Sequence, residues 1–169
     1  MTEHPFEPIF DGASRVLILG SFPSVKSREQ AFYYGHPQNR FWRVIAAVCG
    51  EAVPETVDEK RAMLLRGHIA VWDVIKACNV RGSADNSIRD AEANDLREVL
   101  DNAAVRAVFV NGRTAEKYYN KLILPELGRE AIFLPSTSPA NAAWTFERLT
   151  TKWKRKLAPA LGNAAAAHI

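Results

Sequence analysis

Four short apolar runs, separated by segments of helical periodicity, limit the folds open to this chain. The runs are Arg15–Ser21 (RVLILGS), His68–Ile75 (HIAVWDVI), Val105–Val110 (VRAVFV) and Ala131–Leu134 (AIFL). Continuous runs rich in branched residues are typical of strands that are buried on both faces of a parallel sheet. Because strands alternate with helices, we predict βαβ units and an α/β fold with a central, mainly parallel sheet of four strands.

The segments between the runs complete this plan. Predicted helices cover Asn39–Cys49, Val57–Arg66, Ala91–Leu100, Arg113–Leu122 and Ala143–Leu157, and Lys76–Asn86 is predicted to be a polar loop. No linker or internal repeat divides the 169 residues, a length that suits one domain. We expect a single domain over residues 1–169, with its core at about 10–157 and a frayed tail at 162–169.

Composition narrows the function classes. The net charge of +3 permits a polyanionic partner without demonstrating one. Cys49 and Cys78 are too few for a four-cysteine zinc or iron–sulfur site, and we interpret them as buried thiols in a reducing cytoplasm. The N-terminus lacks the apolar region of a signal peptide, and no apolar run reaches the roughly 18 residues of a membrane span. We expect a cytoplasmic monomer with no metal, cofactor or membrane partner.

The stretch Leu19–Trp42 (LGSFPSVKSREQAFYYGHPQNRFW) is the best candidate for a functional site. It follows the first predicted strand, and parallel sheets bind ligands beyond the carboxyl ends of their strands. Signatures of phosphate-binding loops, dinucleotide sites, serine hydrolases and zinc proteases are absent from the sequence. The aromatic and amide groups of Leu19–Trp42 suit a planar, hydrogen-bonding ligand such as a nucleobase. Phe22, Tyr33 and Tyr34 can stack on a base, or they simply pack the loop.

These residues also carry a resemblance. LGSFPS…YYGHPQNRFW resembles the first motif of the uracil-DNA glycosylase superfamily, in particular the hypoxanthine-DNA glycosylase branch and, more distantly, the mismatch-specific branch. LPSTSPAN, Leu134–Asn141, is similar to the second motif, and Trp72–Ile88 and Val108–Tyr119 correspond to the two middle strands. The resemblance covers about Phe10–Leu157. It implies a three-layer αβα fold and a monofunctional enzyme of base excision repair that hydrolyses the N-glycosidic bond of deoxyinosine in DNA.

The sequence departs from the superfamily at two catalytic places. Gly20–Ser24 offers neither the aspartate nor the asparagine that usually follows the first strand, and the second motif has Leu134 and Pro135 where a histidine often stands. In the hypoxanthine branch, the resemblance implies that the asparagine of the PQNRFW segment is catalytic, which here is Asn39. The alternative is that Asn39 only caps a helix.

The resemblance assigns base reading to Asp73, at the end of the second strand. A carboxylate only accepts hydrogen bonds, so Asp73 can accept from the ring N–H of hypoxanthine or uracil and would refuse adenine. Alternatively, Asp73 is structural and binds local backbone N–H groups. For DNA contacts we predict Ser24, Ser136, Thr137, Ser138, Asn141 and Trp144, with phosphate contacts from some of Lys26, Arg28, Arg81 and Arg113.

Three questions stay open at this point. Trp144 can enter the duplex or pack the last helix, and the basic run Lys152–Lys156 is expected to be a solvated face. A uracil or G:T/G:U mismatch glycosylase is an alternative on the same fold. A DNA- or nucleotide-binding module without catalysis is the alternative from a different class, because both usual catalytic groups are missing.

Overall fold

The computed structural model of the protein describes residues 1–162, and its strands form two sheets. The strands are β1 (Thr2–Glu3), β2 (Val16–Gly20), β3 (Ile69–Asp73), β4 (Ile75–Asn79), β5 (Arg89–Ala93), β6 (Ala107–Asn111) and β7 (Ala131–Leu134). The central sheet has the order β3-β2-β6-β7 and is parallel throughout. All residues of β2 and β3 are buried, which explains their continuous apolar sequences. The predicted αβα fold around a four-stranded sheet is confirmed. Of the predicted tail, only Gly162 lies within the described residues.

Helices flank this sheet. They are α1 (Val25–Gln30), α2 (Phe41–Cys49), α3 (Val57–Arg66), α4 (Arg97–Leu100), α5 (Arg113–Tyr118), α6 (Leu124–Leu127) and α7 (Phe146–Leu161). A π-helical turn, Tyr119–Ile123, joins α5 to α6, and Asp85–Ser87 forms a 3₁₀ turn. The amphipathic helices α2 and α7 pack against each other and bury Phe41, Ile45 and Trp153. No helix within residues 1–162 is long and apolar enough to span a membrane.

The second sheet, of order β1-β4-β5, is antiparallel. Only one residue separates β4 of this sheet from β3. The predicted loop Lys76–Asn86 is therefore wrong over its first four residues, which belong to β4. The predicted helix Ala91–Leu100 is also wrong, because its start belongs to β5 and only Arg97–Leu100 is helical. Ala, Glu and Arg favour a helix in isolation, but backbone pairing with β4 overrides that preference here.

Two further boundaries differ from the prediction. The stretch after β2 contains the short helix α1, which starts where the Ser24 side chain accepts a hydrogen bond from the Ser27 N–H at 3.1 Å. The last helix starts at Phe146 instead of Ala143 and continues to Leu161. Thr145 caps this helix by accepting from the Arg148 N–H at 3.1 Å, which places the start after the Ser/Pro loop.

The register of the parallel strands places their carboxyl ends side by side. Gly20 pairs with Asp73, and Asn111 pairs with Leu134, so the carboxyl ends of all four strands meet at one edge of the sheet. Three of the strand ends continue into polar or Pro-containing segments, and the fourth, β3, ends in the polar residue Asp73. Ligand sites of parallel sheets lie at this edge, and the candidate site of this protein is found there.

Candidate active site

A cavity of about 260 Å³ opens at the carboxyl ends of the parallel strands. Nine of the residues predicted for the site line it, namely Phe22, Ser24, Tyr33, Tyr34, Asn39, Asp73, Ser136, Thr137 and Ser138. Asn141 and Trp144 follow in the same Ser/Pro loop, beyond the part that lines the cavity. Two residues that sequence reasoning did not select, Asp85 and Asn111, also line it. The cavity therefore draws on segments that are far apart in the sequence.

Asn39 lies on the rim of the cavity, two residues before α2. Its side-chain Oδ1 accepts a hydrogen bond from the Phe41 N–H at 2.9 Å, while Arg40 occupies the N-cap position itself. Its Nδ2 makes no hydrogen bond to a residue that the structure describes. Because one end of the amide is held by the helix start, the donor end is oriented and remains available to a bound group.

Asp73 lies at the bottom of the cavity and is 4% exposed. Its Oδ2 lies 2.8 Å from His4 Nε2, and its main-chain oxygen accepts from Asn94 Nδ2 at 2.9 Å. Its Oδ1 lies against Gly20, where an added Cβ would come within 2.4 Å of that oxygen. Glycine is therefore required at position 20 if the carboxylate is to keep this place.

The two neighbouring tyrosines have different environments. Tyr33 is 2% exposed, and its hydroxyl donates to the main-chain oxygen of Glu7 at 2.8 Å. The Tyr34 ring is stacked on Phe41, with ring centroids 3.9 Å apart, and its hydroxyl accepts from Asn111 Nδ2 at 3.4 Å. Burial, and next the nearby Asp73, raise the pKa of both hydroxyls. Both tyrosines are therefore neutral, and Tyr34 keeps a proton to donate.

Phe22 forms the third aromatic wall. It is half-buried, its ring centroid lies 6.2 Å from that of His4, and the Arg28 guanidinium lies 5.7 Å from its centroid. Phe22 therefore keeps a partly exposed ring beside the carboxylate. A ring in this position can contact the face of a planar ligand.

Asn111 connects the sheet to the Ser/Pro loop. Its Oδ1 accepts from the Thr137 N–H at 3.1 Å, and its Nδ2 donates to Thr137 Oγ1 at 3.0 Å. Thr137 is 1% exposed and Asn111 is half-buried, so this double contact is partly shielded from solvent. Sequence reasoning placed Asn111 at a strand end but gave it no role. Its position after a buried strand was the available signal.

Arg40 fixes the same loop from the other side. Its main-chain N–H donates to the Thr137 oxygen at 3.0 Å, and its guanidinium donates to the carbonyls of Ser138, Asn141 and Trp144. Three carbonyls bound by one cation hold the loop beside Asn39. This role could not be predicted from the sequence, because the partners of Arg40 are main-chain atoms about 100 positions away.

The outer part of the loop and its surroundings carry the other predicted DNA contacts. Asn141 Nδ2 donates to the Ser136 oxygen at 3.0 Å, and the Trp144 ring lies 4.0 Å from the Arg148 guanidinium carbon. Among the predicted phosphate contacts, Arg28 donates to the Gly82 oxygen at 2.6 Å, and Arg113 pairs with Glu116 at 2.9 Å.

The chemistry of the cavity is that of amides, hydroxyls and a carboxylate. Within residues 1–162, no group of three or more histidine, cysteine, aspartate or glutamate side chains is arranged to hold a metal ion. Cys49 and Cys78 are free thiols, and burial raises the pKa of Cys49 to about 11. The arrangement can accept a ring N–H at Asp73, donate from Tyr34 and Asn39, and contact a planar ring at Phe22.

Comparisons with known proteins agree with this geometry. The family model of the uracil DNA glycosylase superfamily matches residues 7–162. A protein from Methanosarcina acetivorans named hypoxanthine DNA glycosylase is 36% identical over 158 residues, which cover 91% of this chain and 97% of that protein. A protein of the same name from Methanosarcina barkeri is 36% identical over 83% of this chain and 89% of its own length.

A solved structure shows the same fold. The solution NMR structure of a candidate uracil DNA glycosylase from Methanosarcina acetivorans matches 88% of this chain and 92% of its own, with a TM-score of 0.73 and 35% identity. The family match spans nearly all described residues, and the relatives align over most of their length. On this evidence, the chain belongs to the uracil-DNA glycosylase superfamily.

Proposed function

We propose that this protein is a monofunctional DNA glycosylase of base excision repair that releases hypoxanthine from deoxyinosine. The observation that carries the proposal is the buried carboxylate of Asp73 at the bottom of a cavity whose rim holds the oriented amide of Asn39. The two relatives named hypoxanthine DNA glycosylase support the choice of base. The enzyme class follows from membership of the superfamily.

Base selection follows from hydrogen-bond polarity. The ring N–H of hypoxanthine lies beside its carbonyl, so it can donate to Asp73 while the carbonyl accepts from a donor such as Tyr34. Adenine presents a bare ring nitrogen there, which would face the carboxylate without a proton between them. A buried polar group left unpaired costs about 1–3 kcal/mol, which is enough to reject adenine by roughly tenfold or more.

The reaction requires a base that has left the duplex stack. The bond between C1′ and the base nitrogen breaks with its electron pair passing to the base, and the oxygen of a water molecule bonds to C1′. The water gives up one proton, and the released base takes up one proton, so the products are the abasic sugar and the neutral base. Positive charge develops on the sugar and negative charge on the leaving base. The amide of Asn39 can donate to the base or hold the water, and an oriented donor of this kind contributes about 3 kcal/mol.

The decisive experiment compares Asn39→Ala with Asn39→Asp on duplexes that contain one deoxyinosine, with alkali cleavage of the abasic product. Asn39→Asp keeps an oxygen that can accept from the Phe41 N–H, while it loses the amide donor and gains a negative charge. If the donor is catalytic, both variants lose about 100-fold to 1,000-fold in single-turnover rate. Near-normal release by Asn39→Ala would remove Asn39 from catalysis.

A second candidate function, release of uracil including from G:T/G:U-type mismatches, is favoured by one observation. Uracil also presents a ring N–H beside a carbonyl, so Asp73 alone does not separate it from hypoxanthine. A panel of duplexes with hypoxanthine, uracil, xanthine or a thymine mismatch decides between them. Binding to these duplexes without release of any base would instead indicate a module without catalysis.

We also propose a DNA-facing surface and a setting for the enzyme. The predicted DNA contacts, Ser24, Ser136, Thr137, Ser138, Asn141 and Trp144, belong to the two loops that surround the cavity. A monomer in the cytoplasm is our proposal for the acting species, because its free thiols suit a reducing compartment. Light scattering of the purified protein tests the monomer.

A further inference from the structure

The N-terminal segment reaches the cavity from outside residues 7–162, the range that matches the family model. Thr2 and Glu3 pair with Cys78 and Ala77 of β4, and the His4 N–H donates to the Lys76 oxygen at 2.7 Å. These contacts bring the His4 ring onto Asp73, with side chains that are 3% and 5% exposed. A residue near the start of the chain thus contacts the proposed base-reading group.

The hydrogen bonds of His4 determine where one proton must lie. Nδ1 lies 2.7 Å from the main-chain oxygen of Phe6, and a carbonyl only accepts, so Nδ1 carries hydrogen. Nε2 lies 2.8 Å from Asp73 Oδ2. If neither atom carried a proton, two lone pairs would face each other at hydrogen-bond distance. The pair therefore shares one proton, on the imidazole or on Oδ2.

Both positions of this proton have the same consequence for the cavity. With the proton on His4, Asp73 is a carboxylate and Oδ1 is an acceptor. With the proton on Oδ2, Oδ1 is a carbonyl oxygen and is again an acceptor. Oδ2 is the carboxyl oxygen with a hydrogen-bond partner among the described residues, which leaves Oδ1 for a bound base.

We propose that His4 is a positioning residue for base recognition, which keeps Asp73 Oδ1 an acceptor by holding the proton of the pair between its Nε2 and Oδ2. The proposal rests on the proposed function in one respect, namely that Oδ1 receives the ring N–H of the base. His4 does not contact the base itself. It acts through the carboxyl group that it fixes, and its ring is fixed in turn by packing against Phe6 and Tyr33.

Removal of His4 changes where the proton of Asp73 can lie. The other titratable groups that face Asp73 are Tyr33 and Tyr34 from the loop before α2 and Asp85 from the 3₁₀ turn, and none of them is a cation. Without the imidazole, none of these groups holds a proton at Oδ2. The proton of the pair is then free to lie on Oδ1, which becomes a donor and no longer accepts from the base.

The first test observes the shared proton directly and does not depend on activity. Nitrogen NMR of the histidine-labelled protein should show that both ring nitrogens of His4 carry or share hydrogen at neutral pH. Asp73→Asn has no carboxyl group with which His4 could share a proton, so the chemical shift of Nε2 should change in that variant. An Nε2 signal that shows neither a bonded nor a shared hydrogen in the unmodified protein overturns the proposal, even if the protein releases hypoxanthine.

The second test measures hypoxanthine release under single turnover at neutral pH. His4→Ala removes the partner that holds the proton at Oδ2 and should lose at least about tenfold in rate. In His4→Gln, the side-chain oxygen can accept a proton carried by Oδ2, so Oδ1 stays an acceptor and most of the rate should return. A His4→Ala rate equal to that of the wild type, or no recovery in His4→Gln, overturns the proposal.

A matched control separates this effect from general stability. His68 lies at the opposite, amino end of β3 and has a left-handed backbone conformation, with φ of 61°, which asparagine tolerates. His68→Asn should leave the rate of hypoxanthine release unchanged, whatever it does to the melting temperature. If the wild type releases no base, the proposed function fails, and the nitrogen signals of His4 still decide whether the pair shares its proton.

Discussion

The floor and the rim of the cavity are built in different ways. The floor, defined as Tyr34, Asp73 and Asn111 together with His4, the partner of Asp73, consists of polar side chains that are hydrogen-bonded within the protein. The rim, defined as Phe22, Asn39, Ser136 and Ser138, lies in loops, and the amide donor of Asn39 has no partner there among residues 1–162. The difference indicates that the floor is arranged before any ligand binds, whereas the rim holds groups that are left for the substrate. Recognition and chemistry can therefore be disturbed separately.

Apart from Asn39 itself, the largest loss of hypoxanthine release is expected from a change at Gly20, which lies against the floor. In Gly20→Ala, the new Cβ would lie 2.4 Å from Asp73 Oδ1 and 2.9 Å from the Tyr34 hydroxyl, so both groups must move. Such overpacking costs about 1–3 kcal/mol of stability, and a shift of the reading group costs about 100-fold in hypoxanthine release. Single-turnover cleavage measures the rate, and thermal unfolding measures the stability.

The control for this change is Gly12→Ala, where the nearest atom to an added Cβ lies 3.9 Å away. That variant should keep both rate and stability. Full hypoxanthine release by Gly20→Ala would show that the floor tolerates displacement, and the distinction from the rim would collapse.

A smaller effect is expected from loosening the rim. Arg40→Ala removes the donors to the carbonyls of Ser138, Asn141 and Trp144. Since one hydrogen bond from a charged group contributes about 1.5–3 kcal/mol, we expect a loss of about 2 kcal/mol in stability and roughly tenfold in release rate. Because the floor is intact, the preference for hypoxanthine over uracil should not change.

Arg43→Ala is the matched control on the same helix, since Arg43 is exposed and lies 5.8 Å from the Phe146 ring centroid. It should behave as the wild type. A changed base preference in Arg40→Ala would mean that the rim also selects the base.

The smallest effect is expected for a change at Asp85, which also lines the cavity, and it concerns the stability of the fold. Asp85 is exposed as a residue, but its carboxylate lies in the cavity wall, and desolvation and Asp73 raise its pKa while bonds to Ser21 and Thr114 lower it. A raised folded-state pKa means that the folded protein binds this proton more tightly. Stability then falls as pH rises from the ordinary value of 3.8 through the raised one.

Asp85→Asn removes this fall, so the variant should gain a little stability relative to the wild type at neutral pH and none at strongly acidic pH. Melting temperatures across the acidic range measure the difference. Solvent around this exposed residue keeps the effect small. An equal gain at every pH would assign it to a cause other than ionisation.

The sequence was sufficient for the parallel sheet and insufficient for the antiparallel one. Strands such as Val16–Gly20 are buried on both faces and therefore consist of uninterrupted apolar residues. Arg89–Ala93 is largely exposed and consists of helix-favouring residues, so only its pairing with Ile75–Asn79 makes it a strand. Hydrophobic sequence patterns indicate which residues are buried, but they do not indicate which remote segments pair with each other.

The same limit applies to the site. Asn39 and Asp73 were selected through a resemblance and their places at element ends, and both line the cavity. Their roles remain predictions. His4 and Arg40 were not selected for the site, because their partners lie 69 and about 100 positions away and include main-chain atoms. Local sequence carries no trace of such contacts.

The pairing of Thr2 and Glu3 with β4 has a consequence for the order in which the site forms. The strand partners, Ala77 and Cys78, lie more than seventy residues further along the chain, so Thr2 and Glu3 cannot pair until that part has been synthesised. Contacts of such long separation form late, since the intervening chain has to close first. We therefore expect the contact of His4 with Asp73 to be completed late in folding. The group that we propose reads the base would then gain its partner only after the parallel sheet has formed.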